Sequence, residues 1–214
     1  MACIPPSLIL TSQAASQFGL IAEVIIAKKY LEHVRRPAFY PGLPAKDFFD
    51  ISHGVGNQCL YIAFLNLNHP HIGLNRLLSL ADDRLVKIPD LMTYDPPTRT
   101  EFYEIKPNSP TGVTAGNRKI ANVHALYQSF GLPYIPGIQW DPDGRVEFFS
   151  GRLFGIEVVV NFHYFRLQPA LIVYEICAEG KLKPLTNAEI ALIIAAIILI
   201  ILSRGVLAPV LAAA

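Results

Sequence analysis

Charge is scarce in this chain. Lysine, arginine, aspartate and glutamate make up 16% of its 214 residues, where an ordinary soluble domain carries about a quarter. The few charges nearly cancel, 18 basic against 17 acidic, for a formal net charge of +1. No global field draws such a protein to nucleic acid, so a role there needs a local basic surface. Cysteine is scarce as well. Cys3, Cys59 and Cys177 are far apart and odd in number, which gives neither a disulfide framework nor a zinc-ligand spacing and fits a reducing compartment. The opening run Met1-Ala2-Cys3-Ile4-Pro5-Pro6 places no positive charge ahead of an apolar stretch, a poor secretory signal. No internal repeat is present.

What is abundant is apolar surface, 52% of residues, and a length that suits one domain with an appendage. Residues 12–34 read as one long helix with Ser12 as N-cap and Pro37 past its end. Its apolar positions (Phe18, Leu20, Ile21, Val24, Ile25, Ile26, Leu31) run nearly all round it, which places it inside a domain rather than on its surface. A Pro/Gly-rich turn follows, then a poorly legible stretch in which Leu74, Leu77, Leu78 and Ala81 mark a second helix. Residues 85–94 and 100–106 are short β-prone runs flanking the turn cluster Asp95-Pro96-Pro97-Thr98, an antiparallel hairpin. Helical period returns over residues 114–130, with Ile120, Val123, His124, Tyr127 and Phe130 on one face and Gly131 as the stop. Strands are expected at 134–139, 146–149, 156–165 and 170–177. The order describes an α/β fold with a central mixed sheet flanked by helices.

Within the hairpin stand Pro89-Asp90 and Glu104-Ile105-Lys106. Glu104 and Lys106 are two apart and project from one face of their strand. Asp90, on the strand before, can converge with them. Two carboxylates and an ammonium over a few ångströms match what phosphodiester hydrolysis requires: oxygens to hold Mg²⁺, and a lysine to serve the attacking water. The bland reading is a cross-strand ion pair on an exposed edge, and Pro89-Asp90 beside it weighs against that. Basic candidates for a nucleic-acid surface are Lys28, Lys29, Arg35 and Arg36, and Arg118 and Lys119 after the hairpin. His53, His69, His71 and His163 match no ligand motif and read as loop histidines.

These residues, in the order strand, turn, strand, helix, resemble the PD-(D/E)xK nuclease superfamily over roughly residues 13–139. The resemblance implies a restriction-endonuclease-like α-β-β-β-α-β core. It also implies Asp90, Glu104 and the Ile105 carbonyl as metal ligands, Lys106 as the residue serving the nucleophile, and Mg²⁺ (or Mn²⁺) as cofactor. The family often adds a carboxylate from a first helix, and Gly19-Leu20-Ile21-Ala22-Glu23 with Ala27 and Leu31 resembles that stretch. Glu23 is preferred over Glu32, since the small Gly19 and Ala27 share its flank. A further polar residue over the site would come from Lys119 or His124, and His124 reads better as a core histidine. Tyr103-Glu104-Ile105-Lys106-Pro107 and Gly131-Leu132-Pro133-Tyr134 look like nuclease domains of bacterial polymorphic toxins. That likeness implies an antibacterial effector acting on DNA ahead of RNA, kept in the bacterial cytoplasm or delivered into a target cell without a cleavable signal peptide, with an immunity protein as partner.

Residues 1–180 thus form the expected nuclease-like domain, and residues 186–214 a hydrophobic C-terminal segment. Its apolar run, 190–202, falls short of the roughly 20 residues a spanning helix needs, and Arg204 would be costly in mid-membrane. A helix there, capped by Thr186 or Asn187, can pack on a partner, a membrane or its own domain. Because the nuclease unit is complete without it, contact with a membrane or a chaperone is the favoured expectation. The competing expectation for the whole chain is a non-catalytic nuclease-fold binding module or a membrane-associated structural protein.

Overall fold

The computed structural model describes residues 2–34, 38–39, 55–82, 88–181 and 184–203. Arg35, Arg36 and His53, and the segment from Arg204 onward, lie outside them. In chain order the elements are β1 (Ala2–Ile4), α1 (Ser12–His33), β2 (Ala38–Phe39), α2 (Val55–Asn68), α3 (Leu74–Asp82), β3 (Leu91–Asp95), β4 (Arg99–Pro107), α4 (Pro110–Phe130), β5 (Ile135–Pro136), β6 (Asp143–Leu153), β7 (Ile156–Gln168), β8 (Leu171–Gly180) and α5 (Asn187–Ser203). The strands form one mixed sheet in the order β2-β3-β4-β8-β7-β6.

Two further strands fill gaps in that sheet. Parallel pairing of β4 with β8 uses residues 104–107 of β4 and 171–174 of β8. Below it β5 pairs with β4 at Glu101 and Phe102, and beyond it β1 pairs with β8 at residues 176–178. The central strands β4 and β8 alternate between two cores. Tyr103, Ile105, Ile172, Tyr174 and Ile176 enter one, with α1 and α5. Phe102, Leu171 and Val173 enter the other, with α2, α3 and α4.

α1 is apolar nearly all round its middle because it is covered there on more than one side. It contributes Phe18, Ile25, Ile26 and Tyr30 to the first core, where Ile193, Ile194, Ile197 and Ile198 of α5 also pack. The described part of the C-terminal segment therefore packs against its own domain. No helix among the described residues is long and apolar enough to cross a membrane.

Several sequence-based boundaries shift. Thr11, not Ser12, caps α1, its hydroxyl accepting the Ala14 N–H at 3.3 Å. α4 starts at Pro110 because Ser109 accepts the Gly112 N–H at 3.1 Å and proline suits the first helical position. It ends at Gly131, whose φ of +70° favours glycine. Strand β3 begins only at Leu91, so Asp90 precedes it, and the strand expected at 134–139 shrinks to the two residues of β5. In α3 the buried leucines are Leu77 and Leu80, while Leu74 and Leu78 are exposed.

The cysteines require a correction. Cys3 and Cys177 form a disulfide, because β1 lies beside β8 with those two residues directly opposed. Nothing in the spacing of residues from the two ends of a chain could announce that.

Candidate active site

Strand β3 runs out at Leu91, one residue short of Glu104 on β4, and there the backbone ladder is continued by a side chain. The Asp90 N–H donates to the Tyr103 carbonyl at 3.1 Å, and Asp90 Oδ2 accepts the Ile105 N–H at 2.7 Å. The hydrogen bond that a further strand residue would have supplied thus pins a carboxylate beside Glu104. On the other edge, the Glu104 N–H donates to Ala170 at the head of β8, at 2.7 Å. Glu104 is therefore fixed in mid-sheet, its side chain only 2% exposed.

Two ammonium groups bridge the carboxylates. Lys106 Nζ contacts Glu104 Oε1 in a short ion pair, lies 3.6 Å from Asp90 Oδ2, and donates to the Ile105 carbonyl at 2.9 Å. Lys119 Nζ lies 2.6 Å from Glu104 Oε2 and 3.1 Å from Asp90 Oδ1. Lys119 reaches this far because α4 sits close on the sheet. A Cβ at Gly116 would lie 2.6 Å from Leu171 Cδ1 and 3.2 Å from Lys106 Cγ, so glycine there permits the approach.

Glu23 completes the group from α1. It lines a cavity of about 350 Å³ together with Gly19, Ile105, Lys106, Pro107 and Tyr174. Its electrostatic neighbours are Asp90, Lys106, Glu104 and Lys119. Lys106 is the more accessible of the two lysines, 24% exposed against 15% for Lys119, so the cavity reaches the cluster from its Lys106 side. Glu32 does not join: it is exposed and pairs with Lys29 at 3.2 Å. Gly19 does line the cavity, whereas Ala27 is buried in the first core.

Burial sets the protonation of the group. Desolvation, and after it repulsion from Asp90, lifts the Glu23 carboxyl to about 8 and the Glu104 carboxyl to about 7. Desolvation pushes Asp90 the same way, but Lys106, Lys119 and the Ile105 N–H outweigh it and hold Asp90 near 2. Burial alone would lower the two lysines; Asp90 and Glu104 reverse that and raise both. Lys106 and Lys119 therefore keep their protons at neutral pH.

The donor set suits a hard cation. Asp90 Oδ2, Glu104 Oε1 and the Ile105 carbonyl are all oxygens, the ligand type Mg²⁺ prefers, and they already surround one cation, the Lys106 ammonium. Among the described residues, only Cys3, Glu175 and Cys177 bring three Cys, His, Asp or Glu ligand atoms within 4.8 Å of one another. Glu23, Asp90 and Glu104 are spread more widely, with ammonium groups between them.

Of the residues singled out by sequence, Glu23, Asp90, Glu104, Ile105, Lys106 and Lys119 come together. Arg118 is exposed on α4. His124 is half-buried with Gln128 Nε2 at 3.4 Å from its ring, rather than in the core. His69 is buried against Tyr134, and His163 lies in strand β7, not a loop. Sequence reasoning took Lys119 for a nucleic-acid contact or a polar residue over the site, and did not place it between the two carboxylates. Tyr174 went unnoticed, and its only sequence signal is its place in an apolar strand. Comparison with protein-family models, curated proteins and solved structures finds no match to this chain.

Proposed function

We propose that this protein is a metal-dependent nuclease that hydrolyses phosphodiester bonds, DNA ahead of RNA. The observation that carries the reading is the seat of the Lys106 ammonium, held by Asp90, Glu104 and the Ile105 carbonyl. Those three oxygens were singled out by sequence as metal ligands, and they converge on one point that tolerates positive charge. The order α1, β2, β3, β4, α4, β5, with α2 and α3 inserted between β2 and β3, also supports a restriction-endonuclease-like core.

In this reading Asp90, Glu104 and Ile105 would hold Mg²⁺, or Mn²⁺ in its place. The bound ion would supply a water of lowered pKa and offset charge building on the phosphate. Lys106, turned from the carboxylates toward the cavity, keeps its proton and orients the attacking water by donating to it. Glu23 is on the same cavity and has the raised pKa suited to accept that water's proton. Lys119 stays on Asp90 and Glu104 and limits their mutual repulsion. Arg118, exposed on α4 beside Lys119, contacts the nucleic-acid backbone. The toxin likeness extends the proposal to an antibacterial effector with an immunity protein.

The test is incubation of supercoiled plasmid with wild type and Lys106→Ala, in Mg²⁺ and in chelator. Cleavage by wild type only, and only with metal, is expected, with the variant slower by about 10²–10⁴-fold. Equal cleavage by both proteins removes this mechanism. One observation favours a second reading, a non-catalytic binding module: both carboxylates are already paired by lysines. Absence of cleavage together with absence of any metal-induced stabilisation would select it.

A further inference from the structure

Away from the cluster around Glu104, one face of the sheet carries Cys3 on β1, Glu175 and Cys177 on β8, and His163 on β7. Strand register makes them neighbours. Cys3 is directly opposite Cys177, and His163 directly opposite Glu175. Ligating atoms of Cys3, Glu175 and Cys177 lie within 4.8 Å of one another. His163 Nδ1 is 3.1 Å from Glu175 Oε1. Two atoms bonded at about 2.0–2.1 Å to one tetrahedral Zn²⁺ stand roughly 3.3 Å apart, which the His163–Glu175 pair already matches, whereas His163 lies outside the 4.8 Å group and has to turn toward the sulfurs to join it.

The supporting contacts point the same way. His163 Nε2 lies 2.8 Å from Asp143 Oδ1, which leaves Nδ1 for a ligand and reproduces the carboxylate–histidine–metal arrangement. Asn108 Nδ2 donates to Glu175 Oε2 at 2.8 Å and leaves Oε1 toward His163. Cys3, Glu175 and His163 are half-buried and Cys177 is buried, so an ion has a route in and a dry end to bind.

We propose that reduction of the Cys3–Cys177 disulfide creates a binding site for one Zn²⁺ formed by Cys3, Cys177, Glu175 and His163. A dithiol reductant supplies two electrons and two protons. The S–S bond breaks, two thiols form, and the reductant becomes a disulfide. Zinc then displaces both thiol protons to solvent as two Zn–S bonds form. Sulfur, nitrogen and one carboxylate oxygen suit Zn²⁺, not Mg²⁺. In the oxidised chain the bonded sulfurs offer no thiolate. The site thus fastens β1 to β8 by a covalent bond in one redox state and by a metal in the other.

The experiment is an anaerobic Co²⁺ titration of the full-length chain carrying Cys59→Ser, which removes the third thiol. The reduced protein is expected to take up one Co²⁺ with a thiolate-to-metal charge-transfer band that Zn²⁺ erases, and the oxidised protein to show no band. Asp143→Asn should keep the band and weaken affinity about 10-fold; unchanged affinity overturns the role given to Asp143. A reduced chain without the band, or a band undiminished by Cys177→Ser, overturns the site. The oxidised and reduced samples are one polypeptide, so a variant that fails to fold leaves the test intact. The cluster around Glu104 contains no thiol, so metal bound there gives no such band.

Discussion

The cluster around Glu104 and the cluster around His163 are made of similar parts. Each sets carboxylates against nitrogen groups across neighbouring strands, and each leans on a residue outside its strands, Lys119 on α4 or Asn108 after β4. They differ in water. Glu104 is 2% exposed and lies in mid-sheet beneath α4, whereas His163 and Glu175 are each 14% exposed and Asp143 is 80% exposed. In the dry cluster desolvation is the largest influence on every group, so two carboxyls are lifted toward neutrality and two lysines are required to keep the remaining charge in place. Burial turns an ordinary set of ion pairs into one whose charges compete, and an added divalent ion would relieve that competition.

The sharpest way to break this contrast is activity. Glu104→Gln should lower plasmid cleavage by at least about 10²-fold, whereas Glu175→Gln, equally a carboxylate deletion on an adjacent strand, should leave it within about twofold. Comparable losses would mean that the dry cluster is not special. Next in size is the response of stability to metal. Mg²⁺ at 100 times its Kd stabilises a chain that binds it only when folded by about 2.7 kcal/mol, or roughly 5–10 °C in Tm for a chain of this length. Glu104→Ala should abolish that gain. Lys106→Ala should keep or enlarge it, because Lys106 competes with the ion for the same oxygens. Melting curves with and without Mg²⁺ for the three proteins check the roles, and the reverse pattern would exchange them.

Much of the dry cluster was legible because it depends on local rules. A two-residue step puts Glu104 and Lys106 together, and Asp95-Pro96-Pro97-Thr98 fixes the turn that brings Asp90 alongside. What was not legible depends on docking. Lys119 meets the carboxylates only because Gly116 lets α4 settle on β8, and no periodicity in α4 reveals that distance. α2 escaped notice because its buried residues, Tyr61, Ile62 and Leu65, are mixed with an exposed Leu67, which blurs the helical stripe. β5 is too short to leave a pattern. The Cys3–Cys177 pair arises from a strand order that inserts β1 at the edge of β8, a fact of the whole sheet.

A further effect separates the clusters by pH. The Glu23 carboxyl goes from an ordinary 4.5 to about 8 on folding, and that of Glu104 to about 7. A raised carboxyl binds its proton more tightly in the folded chain, so its contribution is fully present below about 4.5 and is lost as pH rises through 7 to 8. The metal-free protein should therefore melt at progressively lower temperature between pH 5 and 8. Glu23→Gln, uncharged throughout, should flatten that decline. Parallel slopes for wild type and variant would show that Glu23 carries no such burden.

The smallest expected effect decides between the two glutamates of α1. Glu32 pairs with Lys29 at 3.2 Å, but its side chain is 53% exposed, and exposed pairs of this kind contribute about 0–1 kcal/mol and are screened by salt. Glu32→Gln should thus lower Tm by no more than about 2–4 °C. It should leave the metal response unchanged, because Glu32 is not part of the cluster around Glu104. Glu23→Gln, nine residues earlier on the same helix, removes a charge that burial opposes. It should raise the metal-free Tm at pH 8 and slow cleavage together. Stability gained while activity is lost is the signature of a group held in a strained state for its chemistry. A pair of variants that differ in neither respect would place Glu23 among the ordinary charges of the helix.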